Sequence, residues 1–256
     1  MQIKGRNVND VIIEALWTMK VSATTSQSRN GPVMILPEPM MITYSDPMER
    51  VLFWDKRDAN PFFHLMEAIW MMAGRNDVGY VRQFNKRMDD FAEADGVLWG
   101  AYGLRWTKLF GFNQLAIIAG ILKKDKYDRR QVLQMWNAET DLGMNKRDLP
   151  CNTHVYFDAH DDALNMTVCN RSNDLIWGAL GANAVHFSFM HEAMAGAIGL
   201  PIGRYHQFSN NMHAYIQRED WRNLTEALPV DASPFNYYEG KEHLVFPLRV
   251  DDIVVF

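Results

Sequence analysis

The chain has 256 residues, 48% of them hydrophobic and 22% charged, with a formal net charge of -5. That is enough apolar material for one sizeable core, and the acidic balance argues against a sequence-independent hold on nucleic acid, which needs a positive excess. Two cysteines without a disulfide framework point to a reducing compartment. The opening MQIKGRNVNDVIIEALW has no long apolar stretch and no run approaches the roughly 18 apolar residues of a membrane span, so a soluble, cytoplasmic protein with no membrane partner is expected.

Val8, Val11, Ile12, Ala15, Leu16 and Met19 recur at helical spacing behind asparagines that can cap, which predicts an opening amphipathic helix. The segment SATTSQSRNGP, which contains Arg29, reads as a loop, and MILPEPMMITY and RVLFW read as short strands. Asn60 and Pro61 signal the start of a second helix, PFFHLMEAIWMMAG, apolar almost all round and therefore expected to be buried on most faces. A third helix around NQLAIIAGILKK runs into KKDKYDRR and then a strand, QVLQMW. THVYFD and ALNMTVCNRS, joined by AHDD, predict a hairpin, and NAVHFSFMHEAMAGAIG a long buried helix ending at Gly199. Strands and helices mix without regular alternation, so the fold class is α+β, in a single domain over 1–256.

Glu67 lies four residues after Phe63 and three before Trp70, on one face of a helix almost devoid of charge. A carboxylate there is costly unless hydrogen-bonded. It is either a residue at the helix rim or a tuned general acid or base. Cys151, in DLPCNTHVYF, reads by itself as a small core residue or as a nucleophile that needs nearby positive charge, and Cys169 reads as a core residue. Arg129 and Arg130 end a basic run that alone suggests a solvated helix end. Arg171 and Ser172 pair a guanidinium with a hydroxyl, suited to phosphate or to an ordinary polar turn. His186 and His191 stand five apart and share no helical face, so no metal site is expected.

In order, SRNGP, HLMEAIWMMAG, YGLRW, DRRQVLQMWN, LPCNTHVYF, CNRSNDLIWG and SNNMHAY resemble the thymidylate synthases and their relatives, the deoxypyrimidine nucleotide hydroxymethylases, over most of the chain. The resemblance implies a large mixed sheet flanked by helices, an obligate homodimer packed sheet to sheet, and 5,10-methylenetetrahydrofolate as the carbon donor to dUMP or dCMP. Cys151 would attack C6 of the pyrimidine, making C5 nucleophilic. Glu67 falls on the catalytic glutamate, Tyr102 on a tyrosine near the nucleophile, Asp174 on an aspartate associated with ring and folate, and Asn137 near the site. Arg29, Arg171 and Ser172 would hold the phosphate, with Arg129 and Arg130 reaching in from the partner subunit. His213 and Tyr215 would contact the sugar hydroxyl, and the C-terminal LRVDDIVVF would close as a lid or pack as a strand.

Two departures from the synthase pattern bear on specificity. GALGAN places Ala182 where the synthases have their base-reading Asn, with Asn183 one residue later; an amide there suits uracil, an Asp cytosine. Between Asp77 and Trp99, Phe84, Met88 and Phe91 stand where tryptophans are usual, a less aromatic wall that favours attack of water on the methylene over hydride transfer. CNTH after the nucleophile also resembles the hydroxymethylase branch. Hydroxymethylation of dUMP is therefore the leading expectation, with dCMP next. The alternatives are a thymidylate synthase, a catalytically silent nucleotide- or RNA-binding regulator, and a Cys/His hydrolase using His154.

Overall fold

The Asn7 side chain accepts the amides of Asn9 and Asp10 and so caps α1 (Val8–Ser22), whose six periodic apolar residues are all buried. Such a cap is worth about 1 kcal/mol. The computed structural model describes residues 1–226, 228 and 236–240, so LRVDDIVVF lies outside the described residues. Strand β1 (Gln2–Gly5) precedes α1; β2 (Thr24–Ser28), β3 (Gly31–Ile35) and β4 (Met40–Tyr44) follow it. The segment expected as a loop is thus largely a hairpin. Thr24 to Ser28 pair with Ile35 to Gly31, and Arg29 sits in the turn. RVLFW, expected as a strand, has no regular structure and leads into a short 3₁₀ turn, Asp55–Arg57.

Helix α2 (Pro61–Met72) starts as its signals predict, with the Asn60 side chain accepting the Phe63 amide at 3.0 Å. It is not buried on most faces: Ala68, Trp70 and Met71 are buried, while Phe62 and Ile69 are exposed. Continuous apolarity here reflects a helix with core on one side and a cavity or open surface on others. There follow α3 (Val78–Val81), α4 (Tyr102–Thr107), α5 (Gln114–Lys124), β5 (Val132–Gln134) and α6 (Ala138–Asp141).

Strands β6 (Asn152–His160) and β7 (Ala163–Asn170) form the expected hairpin. Its tip residues Asp161 and Asp162 both have positive φ, which a two-residue turn between twisted strands requires and aspartate tolerates. After β8 (Asn173–Asp174) come a π-helical turn over Leu175–Ala182, α7 (Asn183–Ile198), β9 (Ile202–Ser209), β10 (Met212–Tyr215) and α8 (Glu219–Glu226).

The strands make a mixed six-stranded sheet, ordered β1-β4-β9-β7-β6-β5, and a four-stranded one, ordered β2-β3-β10-β8. On the large sheet Ile42, Val155, Val168 and Gln207 face the core, where α7 packs. The alternate residues Met41, Tyr156, Cys169 and Phe208 share the opposite face and are half-buried or exposed. Among the described residues no helix is long and apolar enough to cross a membrane.

Candidate active site

Cys151 stands at the mouth of the β6–β7 hairpin. The Arg171 amide donates to its carbonyl at 2.9 Å, and the Arg171 guanidinium donates to the carbonyls of Pro150 (2.9 Å) and Leu149 (3.2 Å). The same guanidinium brings Nη2 to 3.8 Å from Sγ. From the other side the Tyr102 hydroxyl oxygen accepts the amides of Cys151 (3.0 Å) and Asn152 (3.2 Å). Burial pushes the thiol up from its ordinary value; Arg171 and Arg29 pull it down, and Asp148 and Asp174 push it up.

The predicted phosphate residues form a rim beside the thiol. Arg29 is exposed and donates to the carbonyls of Lys146 (3.3 Å) and Arg147 (3.2 Å). Its neighbour Asn30 donates to the Tyr215 hydroxyl at 3.4 Å, Tyr215 packs edge-on to His213, and His213 Nδ1 lies 3.4 Å from Ser172 Oγ. Arg129 and Arg130 are not brought to this rim: both are exposed ahead of the edge strand β5, and Arg130 pairs with Asp128. Asn137 caps α6 through the Glu139 amide, and its predecessor Trp136 lies under the Arg171 guanidinium at 5.7 Å. Asp174 caps the π-helical turn by accepting the Trp177 amide. Burial pushes its carboxyl up, while His213 and Arg218 act the other way. His154 packs against Tyr156 and has no described contact with Cys151.

Past Tyr102 from Cys151 lies a cavity of about 220 Å³ whose polar wall is Glu67, Tyr102, Asp148, Asn183 and His186 and whose apolar wall includes Trp70, Met88 and Phe91. Glu67 Oε2 is 3.1 Å from His186 Nε2, at an angle that leaves this buried nitrogen without a hydrogen bond among the described residues. Phe84 packs on Tyr80 instead, and Trp99 donates to Asp141 at 2.9 Å with Lys146 over its face, so neither lines this cavity.

Asn183 and Ala182 both reach the cavity, and the local backbone explains the shifted asparagine. A π-helical turn carries one residue more than an α-turn, and within it Gly181, with φ of -124° and ψ of -112°, makes a kink just before Ala182 and Asn183. The Asn183 side chain is fixed in an amide chain: its Oδ1 accepts from Asn152 (3.2 Å), and its Nδ2 donates to Asn173 (3.0 Å). A Cβ at position 178 would lie 2.2 Å from the Asn173 oxygen, so glycine is required there. One lone pair and one N–H of Asn183 remain for a ligand.

Two features escaped the sequence reading. Asp148, three residues before Cys151, reads in NKRDLP as a loop charge, and only the fold turns it into the cavity. A second cavity of about 560 Å³ gathers Lys56, Arg57, Arg87 and Arg218 around Trp177, with guanidinium carbons 5.1 to 5.4 Å from the indole. Lys56 and Arg57 are neighbours, but Arg87, Trp177 and Arg218 come from distant parts of the sequence, so no local motif marks the group.

A thymidylate synthase family model matches residues 56–255. The chain belongs to the thymidylate synthase family. Among its relatives are proteins named deoxyuridylate hydroxymethyltransferase from three phages. That of Pseudomonas phage M6 is 53% identical over 214 residues, covering 83% of this chain and 61% of that one. That of Bacillus phage SP01 is 37% identical over 190 residues, covering 70% and 49%. That of Delftia phage PhiW-14 is 28% identical over 233 residues, covering 86% and 64%. This thymidylate synthase family member thus spans about half to two thirds of the length of these curated relatives. Glu67, Cys151, Arg171 and Asn183 all lie within the family match, and Arg29 precedes it.

Proposed function

We propose that this chain adds a hydroxymethyl group to C5 of dUMP, with Cys151 as the nucleophile and 5,10-methylenetetrahydrofolate as the carbon source, as one catalytic unit over 1–256. The names of the phage relatives support the reaction. The observation that carries it is the cavity reached past Tyr102 from Cys151, where two carboxylates, Glu67 and Asp148, stand with Asn183 and His186 against an apolar wall that includes Trp70, Met88 and Phe91. Such a cavity holds water, which a hydroxymethyl product needs and a methyl product does not.

In this reading Arg29, Arg171 and Ser172 take the nucleotide phosphate, and His213 and Tyr215 the sugar hydroxyl. Asn183 offers its remaining donor and acceptor to the uracil edge, which favours dUMP over dCMP. Cys151 adds to C6, the displaced pair moves onto the C4 oxygen, and Glu67, with His186 beside it, moves a proton at that oxygen through water. Tyr102 holds the backbone of the nucleophile by accepting its two amides. Asp174 fixes the turn that leads to Asn183. Asn137, committed to capping α6, supports the Trp136 surface under Arg171.

The residues present fit a folate: Lys56, Arg57, Arg87 and Arg218 around Trp177, outnumbering the carboxylates of Asp58, Glu219 and Asp220 in the same cavity, suit a ligand with an aromatic ring and carboxylates. Bound methylenetetrahydrofolate supplies a one-carbon unit at the oxidation level of formaldehyde. The half-buried sheet face with Met41, Tyr156, Cys169 and Phe208 supports a homodimer packed sheet to sheet, and the exposed Arg129 and Arg130 then serve the partner's phosphate site. The folate product tests the reaction. Hydroxymethylation leaves tetrahydrofolate, and dihydrofolate formed in step with the nucleotide product would instead mean methylation.

A further inference from the structure

We propose that Asp148 is the general base that activates the water attacking the exocyclic methylene of the dUMP adduct. This deepens the hydroxymethylation reading and rests on it. Asp148 lies three residues before Cys151 and lines the same cavity as Glu67, Met88 and Phe91. Tyr102, which accepts the Cys151 amide, lines this cavity too, so the cavity adjoins the residue that bonds to C6 and the C5 that carries the methylene.

The placement of this carboxylate is built into the backbone. The Gly100 amide donates to Oδ2 at 3.2 Å, and a Cβ at position 100 would lie 2.7 Å from Oδ2 and 3.0 Å from Oδ1. Among the described residues that is the one hydrogen bond Asp148 receives, which leaves Oδ1 without a hydrogen-bond donor on a residue that lines the cavity. The arrangement is also unfavourable for the nucleophile, because a carboxylate here pushes the Cys151 thiol up. A purely structural acceptor for one amide would not require a negative charge beside a thiolate. Burial pushes the Asp148 carboxyl up to about 6, where a carboxylate is a stronger base than in water and still ionised at neutral pH.

The step balances without an oxidant or reductant. Water oxygen bonds to the methylene carbon while its proton passes to Asp148. The C5–methylene π pair shifts into the ring as the C4 enolate. Collapse of that enolate restores C5=C6, breaks the C6–S bond and returns Cys151 as thiolate. Glu67 keeps its separate task at the C4 oxygen.

The test is a single-turnover reaction of the whole protein with dUMP tritiated at C5 and methylenetetrahydrofolate, in buffer with and without 2-mercaptoethanol. Tritium release reports the steps before water attack; mass analysis of the nucleotide reports what captured the methylene. Asp148→Asn is expected to slow hydroxymethyl formation about 100-fold while tritium release stays close to wild type, with the thiol adduct replacing the lost product. Gly100→Ala, which displaces the carboxylate without removing it, should shift the same partition, and Asp148→Glu should recover part of the product. The wild-type product step should also rise with pH through about 6, and Asp148→Asn should lose that limb. The other groups around the carboxylate are Glu67 and His186 across the cavity, Tyr102 and Arg105 on α4, and Arg171 and Cys151 at the hairpin mouth. If tritium release and product fall together in Asp148→Asn, or if the product is unchanged, Asp148 is not the base. If wild type forms no hydroxymethyl nucleotide from dUMP, the parent reading fails first, and the role of Asp148 falls with it.

Discussion

The Nη2 atom of Arg171 lies 3.8 Å from Cys151 Sγ while the same guanidinium holds the carbonyls of Leu149 and Pro150. One side chain therefore both shapes the segment carrying Cys151 and supplies, with Arg29, charge that opposes the effect of burial on the thiol. Removing Arg171 leaves burial and Asp148 acting in the same direction. Arg171→Ala, which leaves Arg29 as the remaining cation acting on the thiol, should slow alkylation of Cys151 by iodoacetamide at neutral pH several-fold and weaken dUMP binding. An unchanged alkylation rate would remove Arg171 from any role in activating the thiol.

In the proposed reading Asn183 links base choice to the buried amide chain. An Asp there keeps the acceptor facing Asn152 but loses the donor to Asn173. Asn183→Asp should therefore lower kcat/KM for dUMP by about 100-fold, raise it for dCMP, and cost about 1 to 3 kcal/mol of stability. The ratio of the two kcat/KM values decides the matter; a ratio that does not move would show that the base is read elsewhere.

Asp148 should leave a trace in stability as well as in chemistry. Its folded carboxyl titrates near 6, above the roughly 3.9 of an unfolded aspartate, so the folded state binds this proton more tightly. Its contribution is fully present below pH about 4 and is lost as pH rises through about 6. At pH 7, Asp148→Asn should be the more stable protein, by up to about 3 kcal/mol, with the difference shrinking toward pH 4. Urea denaturation at several pH values measures this. A variant less stable than wild type at pH 7 would assign Asp148 a structural task.

The proposed homodimer predicts complementation. A protein carrying Arg129→Ala and Arg130→Ala and a separate Cys151→Ser protein should each have little activity. Mixed and allowed to exchange subunits in equal amounts, they should recover about a quarter of the wild-type activity, because half the dimers are mixed and each of these has one intact site. Recovery no greater than the sum of the two alone would place Arg129 and Arg130 outside the partner's site.

Much of the architecture was legible because it depends on local rules. The period of α1, the Asn60–Pro61 start of α2, the β6–β7 hairpin and the Gly199 end of α7 each follow from residues within a few positions of one another. Glu67 stood out because charge is rare in α2. The β2–β3 hairpin was hidden because Thr24 to Ser28 carry turn-forming residue types, and their strand comes from pairing with the apolar β3. RVLFW has strand propensity but gains no partner strand, and tertiary packing overrides propensity there. The π-helical turn that carries Asn183 into the cavity, the inward turn of Asp148 and the cations around Trp177 depend on distant backbone, so no local pattern exposes them.

The most direct measurement is the mass of the nucleotide formed from dUMP and methylenetetrahydrofolate by the wild-type protein, with Cys151→Ser alongside. We predict 5-hydroxymethyl-dUMP from the wild type and unreacted dUMP from Cys151→Ser. A methylated nucleotide from the wild type, or a hydroxymethylated one from Cys151→Ser, would contradict the account.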